Sequence, residues 1–332
     1  MHTLVMAIPI AAAVAFVPAL VTPPQNLAVE EGQVTSHDGL KLAYRKVGNG
    51  SHAVMVPLGF LLQSDFGRLA APARTIVFYD QRNRGRSDAV APEKLSIHDE
   101  VRDMETLRAH FGFSRFTPIG YSYLGLMVVL YAIEHPERID RVVQLGPVPM
   151  HFDTVYPSNL RADDREQAIG KERLATIDAL IRDGFYEREP REFCSRQWAA
   201  VRYALVADPA RVDQLGDGFC DLPNEWPVSF IRMWPHRQAE MKRLRFTPQQ
   251  LARVKQPVLT IHGTRDRNAP YGAGLEWASL LPDARLLTVD GAAHQSWVDA
   301  PERVFGAIDR FLSGEWPPDA AVVRLEPDRR CR

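Results

Sequence analysis

Cysteine is scarce in this 332-residue chain, which has only Cys194, Cys220 and Cys331. There is no Cys-x-x-Cys pair and no His/Cys cluster, so a structural zinc site is not indicated. Charge of one sign is lacking too. Forty Lys and Arg stand against 41 Asp and Glu, a formal net charge of -1. Neither a nucleic-acid partner nor a strongly acidic one is implied. The one basic patch, Arg82, Arg84 and Arg86, is short and lies in a glycine-containing turn. No internal repeat is visible. What is present is a globular composition, 45% hydrophobic and 24% charged. The length suffices for a core domain plus an insertion.

The N-terminus differs from the rest. Leu4 to Val21 carries no charge and contains Pro9 and Pro18. Val17-Pro18-Ala19 offers small residues of the kind a signal peptidase reads, and a polar stretch begins at Thr22. Residues 1–25 read as an export signal and linker, cleaved near Ala19, for a secreted or periplasmic protein. The leading region has His2 but no Lys or Arg, which keeps an uncleaved anchor or a cytoplasmic protein with a mis-assigned start as rival readings. In an exported chain, Cys194 and Cys220 form a disulfide; the rival is two buried thiols. Cys331, near the end of a polar tail, reads as free.

Strand and helix signals alternate along most of the chain. Leu27 to Tyr44 reads as a hairpin turning at His37-Asp38-Gly39. Short apolar strands follow at Ala53–Pro57 and Thr75–Tyr79. Ser96 opens a helix, with Asp99 as a capping-box partner and Val101, Met104, Leu107 and Phe111 as its apolar stripe. Further strands are expected at Arg141–Leu145, from Pro257, and at Arg285–Val289. Helices are expected at Tyr271–Leu281 and Glu302–Leu312. This is an α/β pattern, a mostly parallel sheet with helices on both faces. Between 147 and 245 the strand-like runs stop, and proline-broken helical segments take over. That region reads as a helical lid, leaving 26–146 and 246–314 as the core and 315–332 as a loosely ordered tail. The lid aromatics Phe219, Trp226, Phe230 and Trp234 either line a substrate pocket or form the lid's own core.

Phe116 to Gly125 carries the chemistry. A short apolar run ends in Gly120-Tyr121-Ser122, and a helix-like run starts at Leu124. A strand, a sharp turn and a helix would lift the Ser122 hydroxyl out of the sheet, beside the positive end of the helix. Asp266 follows the strand-like run Pro257–Gly263, and His294 follows Leu286–Val289. Ester or amide cleavage needs a nucleophile, a base, a group that orients the base, and donors for the oxyanion. Ser122, His294 and Asp266 fill the first three roles. The N–H groups of Tyr123 and Phe60 are the candidate oxyanion donors, each worth about 3–4 kcal/mol in such sites. Asp290 and Asp299 are alternative acids. Ser64, Ser87 and Ser296 do not sit on strand-to-helix turns. This chemistry calls for no metal and no cofactor.

Past residue 30, the chain resembles the α/β-hydrolase superfamily. It is most similar to the prolyl aminopeptidase branch, through Asp80-Gln81-Arg82-Asn83-Arg84-Gly85-Arg86-Ser87, Glu134-His135-Pro136-Glu137-Arg138 and the Gly263-x-x-Asp266 turn. The resemblance places the nucleophile, acid and base on Ser122, Asp266 and His294. It departs from the pattern at Pro57-Leu58-Gly59-Phe60, where His-Gly is usual, and at Leu124 and Asn83, where glycine is usual. The expected substrate is a small ester or a short peptide. For a peptide, a lid carboxylate such as Glu225, with Trp226 and Phe230 beside it, would hold the free ammonium; the alternative is a solvated loop glutamate. A C–C hydrolase, a cofactor-free oxygenase and a non-catalytic binder on the same fold are the remaining readings.

Overall fold

A computed structural model describes residues 27–162, 172, 175–216 and 218–324, with backbone alone over 227–231. The segment read as an export signal, and Cys331, lie outside the described residues. Eight strands form one sheet in the order β1-β2-β4-β3-β5-β6-β7-β8. β1 (Val29–Thr35) and β2 (Lys41–Val47) are the expected hairpin, antiparallel from Val29↔Val47 to Thr35↔Lys41. β2 pairs antiparallel with β4 (Arg74–Tyr79). All remaining pairs are parallel: β3 (His52–Pro57) lies between β4 and β5 (Thr117–Tyr121), followed by β6 (Val142–Leu145), β7 (Val258–Gly263) and β8 (Ala284–Val289). These inner strands are buried almost without a break, the pattern of a sheet covered on both sides. Strand order reverses at β3, so the chain leaves β3 and β5 in opposite directions and opens a crevice at their carboxyl ends.

Three helices bear on that crevice: α1 (Gly59–Phe66), α2 (Ile97–His110) and α3 (Tyr123–Glu134). Ser96 caps α2 by accepting from the His98 N–H, and Val101, Met104 and Leu107 are buried as its stripe requires. Asp99 does not close a capping box; its carboxylate accepts from Arg102 instead. Every residue of α3 up to Ile133 is buried. α6 (Tyr271–Leu280) and α7 (Pro301–Leu312) follow the last two strands.

Between 147 and 245 the described residues contain no strand. Helical residues 175–182, α4 (Pro190–Val201) and α5 (Pro227–Arg243) are joined by short 3₁₀ turns. Cys194 on α4 is disulfide-bonded to Cys220, 26 residues away, in the turn Gly218–Asp221. Cross-linking a loop of this length restricts the unfolded chain. Cys194→Ser is therefore expected to cost about 2–4 kcal/mol in denaturant melts, and reduction of the wild-type protein should reproduce the loss.

The tail corrects an expectation. Residues 315–321 are not loose: Leu286 and Ala321 exchange backbone hydrogen bonds of 2.9 Å, and Ala320 is buried. Trp316 packs on Phe311 with the Arg285 guanidinium 4.6 Å from its ring centre. One tryptophan and a free strand edge hold a segment that shows no periodicity.

Candidate active site

Ser122 is the N-cap of α3, with φ 59 and ψ −126. A non-glycine residue in this region is strained and persists only where its surroundings force it. Here its N–H donates to the Leu145 carbonyl, and its own carbonyl accepts from Gly125. The turn is tight enough that a Cβ on Gly120 would lie 2.3 Å from the Leu124 carbonyl oxygen, so the glycine before the serine is required. Leu124, where the resemblance implies glycine, is fully buried. Gly125 takes the close approach instead, against Pro147.

Asp266 and His294 come from the loops after β7 and β8. The Arg265 N–H donates to Ala292 O, lacing the two loops together. The result is a buried pair, His294 Nδ1 to Asp266 Oδ2 at 2.7 Å. Asp266 Oδ1 accepts from the Asn268 and Ala269 N–H groups, both at 2.8 Å. Burial alone pushes this carboxyl up, but His294 and His262 together outweigh it and hold it well below the usual carboxylate range. With Asp266 ionised, His294 carries its proton on Nδ1, leaving Nε2 bare. Tyr121 packs against His294 with the rings tilted and 4.7 Å between ring centres, which puts the imidazole beside the residue that precedes Ser122. Ser122 is half-buried, and its Oγ has no hydrogen-bond partner among the described residues. The alternative acids are engaged elsewhere: Asp290 accepts from Thr264, and Asp299 accepts from the N–H groups of Ala207 and Ala293.

The oxyanion loop departs from expectation. Leu58 is left-handed, φ 65, and starts α1 at once. The Phe60 N–H then donates to Asp80 Oδ1 at 2.8 Å, so it is not free to meet an oxyanion. Asp80 thereby acts as the acidic cap that a helix N-terminus favours. Leu58 N–H is held by Gln81, and those of Leu61 and Leu62 return to Leu58. Gly59 remains the loop residue whose N–H has no partner among the described residues. Tyr123 heads α3, where backbone N–H groups have no intrahelical acceptor, and its phenol is fixed by Gln81 Nε2 at 3.1 Å.

Glu225 also departs from expectation. Its carboxylate takes Arg84 in a two-pronged pair, 2.8 Å at the shortest, and accepts from the Gly85 N–H. It fastens lid to core and offers no free charge to an ammonium. Arg82 likewise grips Asp103 and Asp38. Its guanidinium occupies the group His37, Asp38 and Asp103, whose ligand atoms lie within 4.8 Å of one another. Asn83 tolerates φ 64 because its amide makes two bonds to Val90. Trp226 donates to Cys220 O inside the lid, and the Phe230 side chain lies outside the described residues. A cleft of about 290 Å³ opens between α1 and the lid, walled by Phe60, Asp65, Trp198, Phe219, Gln295 and Trp297. It abuts the site at Gln295, next in the chain to His294.

Residues 56–301 match the family model described as alpha/beta hydrolase fold, and the chain belongs to this family. It is an α/β-hydrolase enzyme, with hydrolases and peptidases as its relatives. It is 24% identical over 245 residues to 2-hydroxymuconate semialdehyde hydrolase of Pseudomonas putida, covering 74% of this chain and 79% of that one. It is 25% identical over 302 residues to a proline iminopeptidase of Xylella fastidiosa, covering 82% and 93%. The solved structure of 2-hydroxy-6-oxo-6-phenylhexa-2,4-dienoate hydrolase from Rhodococcus superposes with a TM-score of 0.65 at 19% identity, over 87% of this chain and 100% of that one, a likeness of fold. No helix among the described residues is long and apolar enough to cross a membrane.

Proposed function

We propose that this chain hydrolyses small esters through a Ser122–His294–Asp266 triad and an acyl-enzyme. The observation that carries this reading is the strained Ser122 turn at the head of α3, on the same sheet edge as a 2.7 Å His294–Asp266 pair. Ser122 Oγ attacks the carbonyl carbon as His294 Nε2 takes its proton. The oxyanion is met by the Tyr123 N–H, with Gly59 rather than Phe60 as the second donor. His294 returns the proton to the leaving alcohol, and water repeats the sequence to release the acid. The Ser122–His294 bond of this mechanism forms as substrate closes the site, since such contacts are often long in free enzymes.

Glu225 favours the ester over the peptide: the carboxylate that would hold a substrate ammonium is neutralised by Arg84. The disulfide supports export to an oxidising compartment. The test compares p-nitrophenyl butyrate with prolyl-p-nitroanilide and follows fluorophosphonate labelling. Ester turnover and labelling are both expected, each reduced on the order of 10⁴-fold or more in Ser122→Ala. Turnover of the anilide alone would restore the aminopeptidase reading. Full ester turnover by Ser122→Ala would end the serine mechanism.

A further inference from the structure

His262 is a fully buried histidine that the mechanism above does not use. It is the second-last residue of β7, within a strand that is otherwise almost wholly apolar. Its Nε2 lies 3.0 Å from the Ala269 carbonyl oxygen and 3.2 Å from Asp266 Oδ2. A carbonyl oxygen can only accept, so Nε2 carries the proton, and the same N–H leans on the carboxylate. Nδ1 is buried and has no hydrogen-bond partner among the described residues. It faces α6, where a Cβ on Gly274 would come within 2.6 Å of it. Tyr271 meets the ring edge-on at 5.9 Å, but its hydroxyl bonds to Thr288. The ring is thus wedged with its single donor edge towards Asp266.

We infer that His262 is a positioning residue for catalysis: its Nε2–H fixes the Asp266 carboxylate in the orientation that grips His294. This rests on the serine-hydrolase reading above. Asp266 has two oxygens with different tasks. Oδ1 is tied to its own loop through Asn268 and Ala269. Oδ2 faces two histidines, His294 from the loop after β8 and His262 from β7. Tyr121 of β5 is a further titratable group that feels this charge. Arg267, next in the chain, turns away to the Val206 carbonyl. Without His262, Oδ2 would be held by the one imidazole it is meant to orient. The carboxylate could then turn about its side-chain bond and carry His294 with it. Small displacements of a base relative to its nucleophile are costly in rate.

The test uses the full chain and the rate of fluorophosphonate labelling of Ser122, which needs no knowledge of the substrate, with kcat and KM on p-nitrophenyl butyrate beside it. His262→Phe keeps a ring but removes the donor; His262→Gln keeps an N–H of similar reach. His262→Phe is expected to slow labelling and kcat about 10-fold with KM within about 2-fold, and Gln to recover most of that. The acid limb of the pH–rate profile should move to higher pH in Phe, because a carboxylate with fewer N–H donors keeps more charge for the imidazolium. Gly274→Ala pushes the ring from the other side and should lower kcat without changing KM, which serves if the Phe variant does not fold. Equal losses in Phe and Gln, an unmoved acid limb, or wild-type rates in Phe or in Gly274→Ala would each overturn the inference. Ser122→Ala separates the two levels. Wild-type turnover there defeats the serine mechanism itself, whereas an inactive Ser122→Ala beside a wild-type His262→Phe defeats only the role of His262.

Discussion

Asp266→Asn is expected to lower kcat on esters about 10³- to 10⁴-fold while KM stays within about 3-fold. The reason lies in the donors around this side chain. The oxygen facing the Asn268 and Ala269 N–H groups must remain an acceptor, so the asparagine keeps its carbonyl there. Its NH₂ then occupies the place of Oδ2, facing His294 Nδ1 and His262 Nε2. His294 can meet a donor only with a bare Nδ1, which moves its proton to Nε2 and leaves no base for Ser122. Because the change is one of tautomer and not of binding, the loss belongs in kcat. Stability should respond too. A carboxyl held below its ordinary value of 3.8 contributes stability that is present above that pH and lost as pH falls through the folded value. The stability deficit of Asp266→Asn should therefore be largest near neutral pH and shrink below about pH 4, which thermal melts across that range would show. A variant with unchanged kcat would mean that His294 is oriented by some other group.

Much of the fold was legible because its signals are local. The parallel strands are short apolar runs, and the serine turn is written in Gly120-Tyr121-Ser122 and the helical run behind it. Asp266 and His294 stand just after strands, and the structure pairs them there. What failed was the direction of groups whose partners are distant in the chain. Phe60 stands where an oxyanion donor is expected, but the left-handed Leu58 turns its N–H onto Asp80, 20 residues on. Glu225 reads first as a solvated loop residue and second as a ligand for substrate, and it is neither, because Arg84 lies 141 residues before it. His262 is a further signal in the sequence, since a histidine inside a buried strand has to find a partner. The packed tail could not be read, since pairing with β8 depends on an edge that exists only in the folded sheet.

Arg237→Met should be the most destabilising change at the lid, and its effect should depend on pH. Arg237, on α5, is 2% exposed and bonds Glu100 of α2 at 2.6 Å and Glu240 at 2.9 Å. Glu240 in turn accepts from the Ile97 N–H at the head of α2, so one guanidinium joins lid to core. It also stands 5.5 Å over the ring of Tyr123, the residue after Ser122. Burial pushes the Glu100 carboxyl up to about 7, with Arg237 pulling the other way. A carboxyl raised above its ordinary 4.5 keeps its proton in the folded chain after the unfolded chain has lost it. The wild-type protein should therefore lose stability as pH rises through that window. With Arg237 gone, Glu100 is a buried charge without its main partner, a loss of about 3–5 kcal/mol at pH 8. At pH 5 the carboxyl escapes that cost by taking a proton, so the deficit in denaturant melts should be clearly smaller. Glu100→Gln in the Arg237→Met background should remove the difference between the two pH values. Equal deficits at both would mean that lid and core are held by packing and by the Arg84–Glu225 pair rather than by this buried charge.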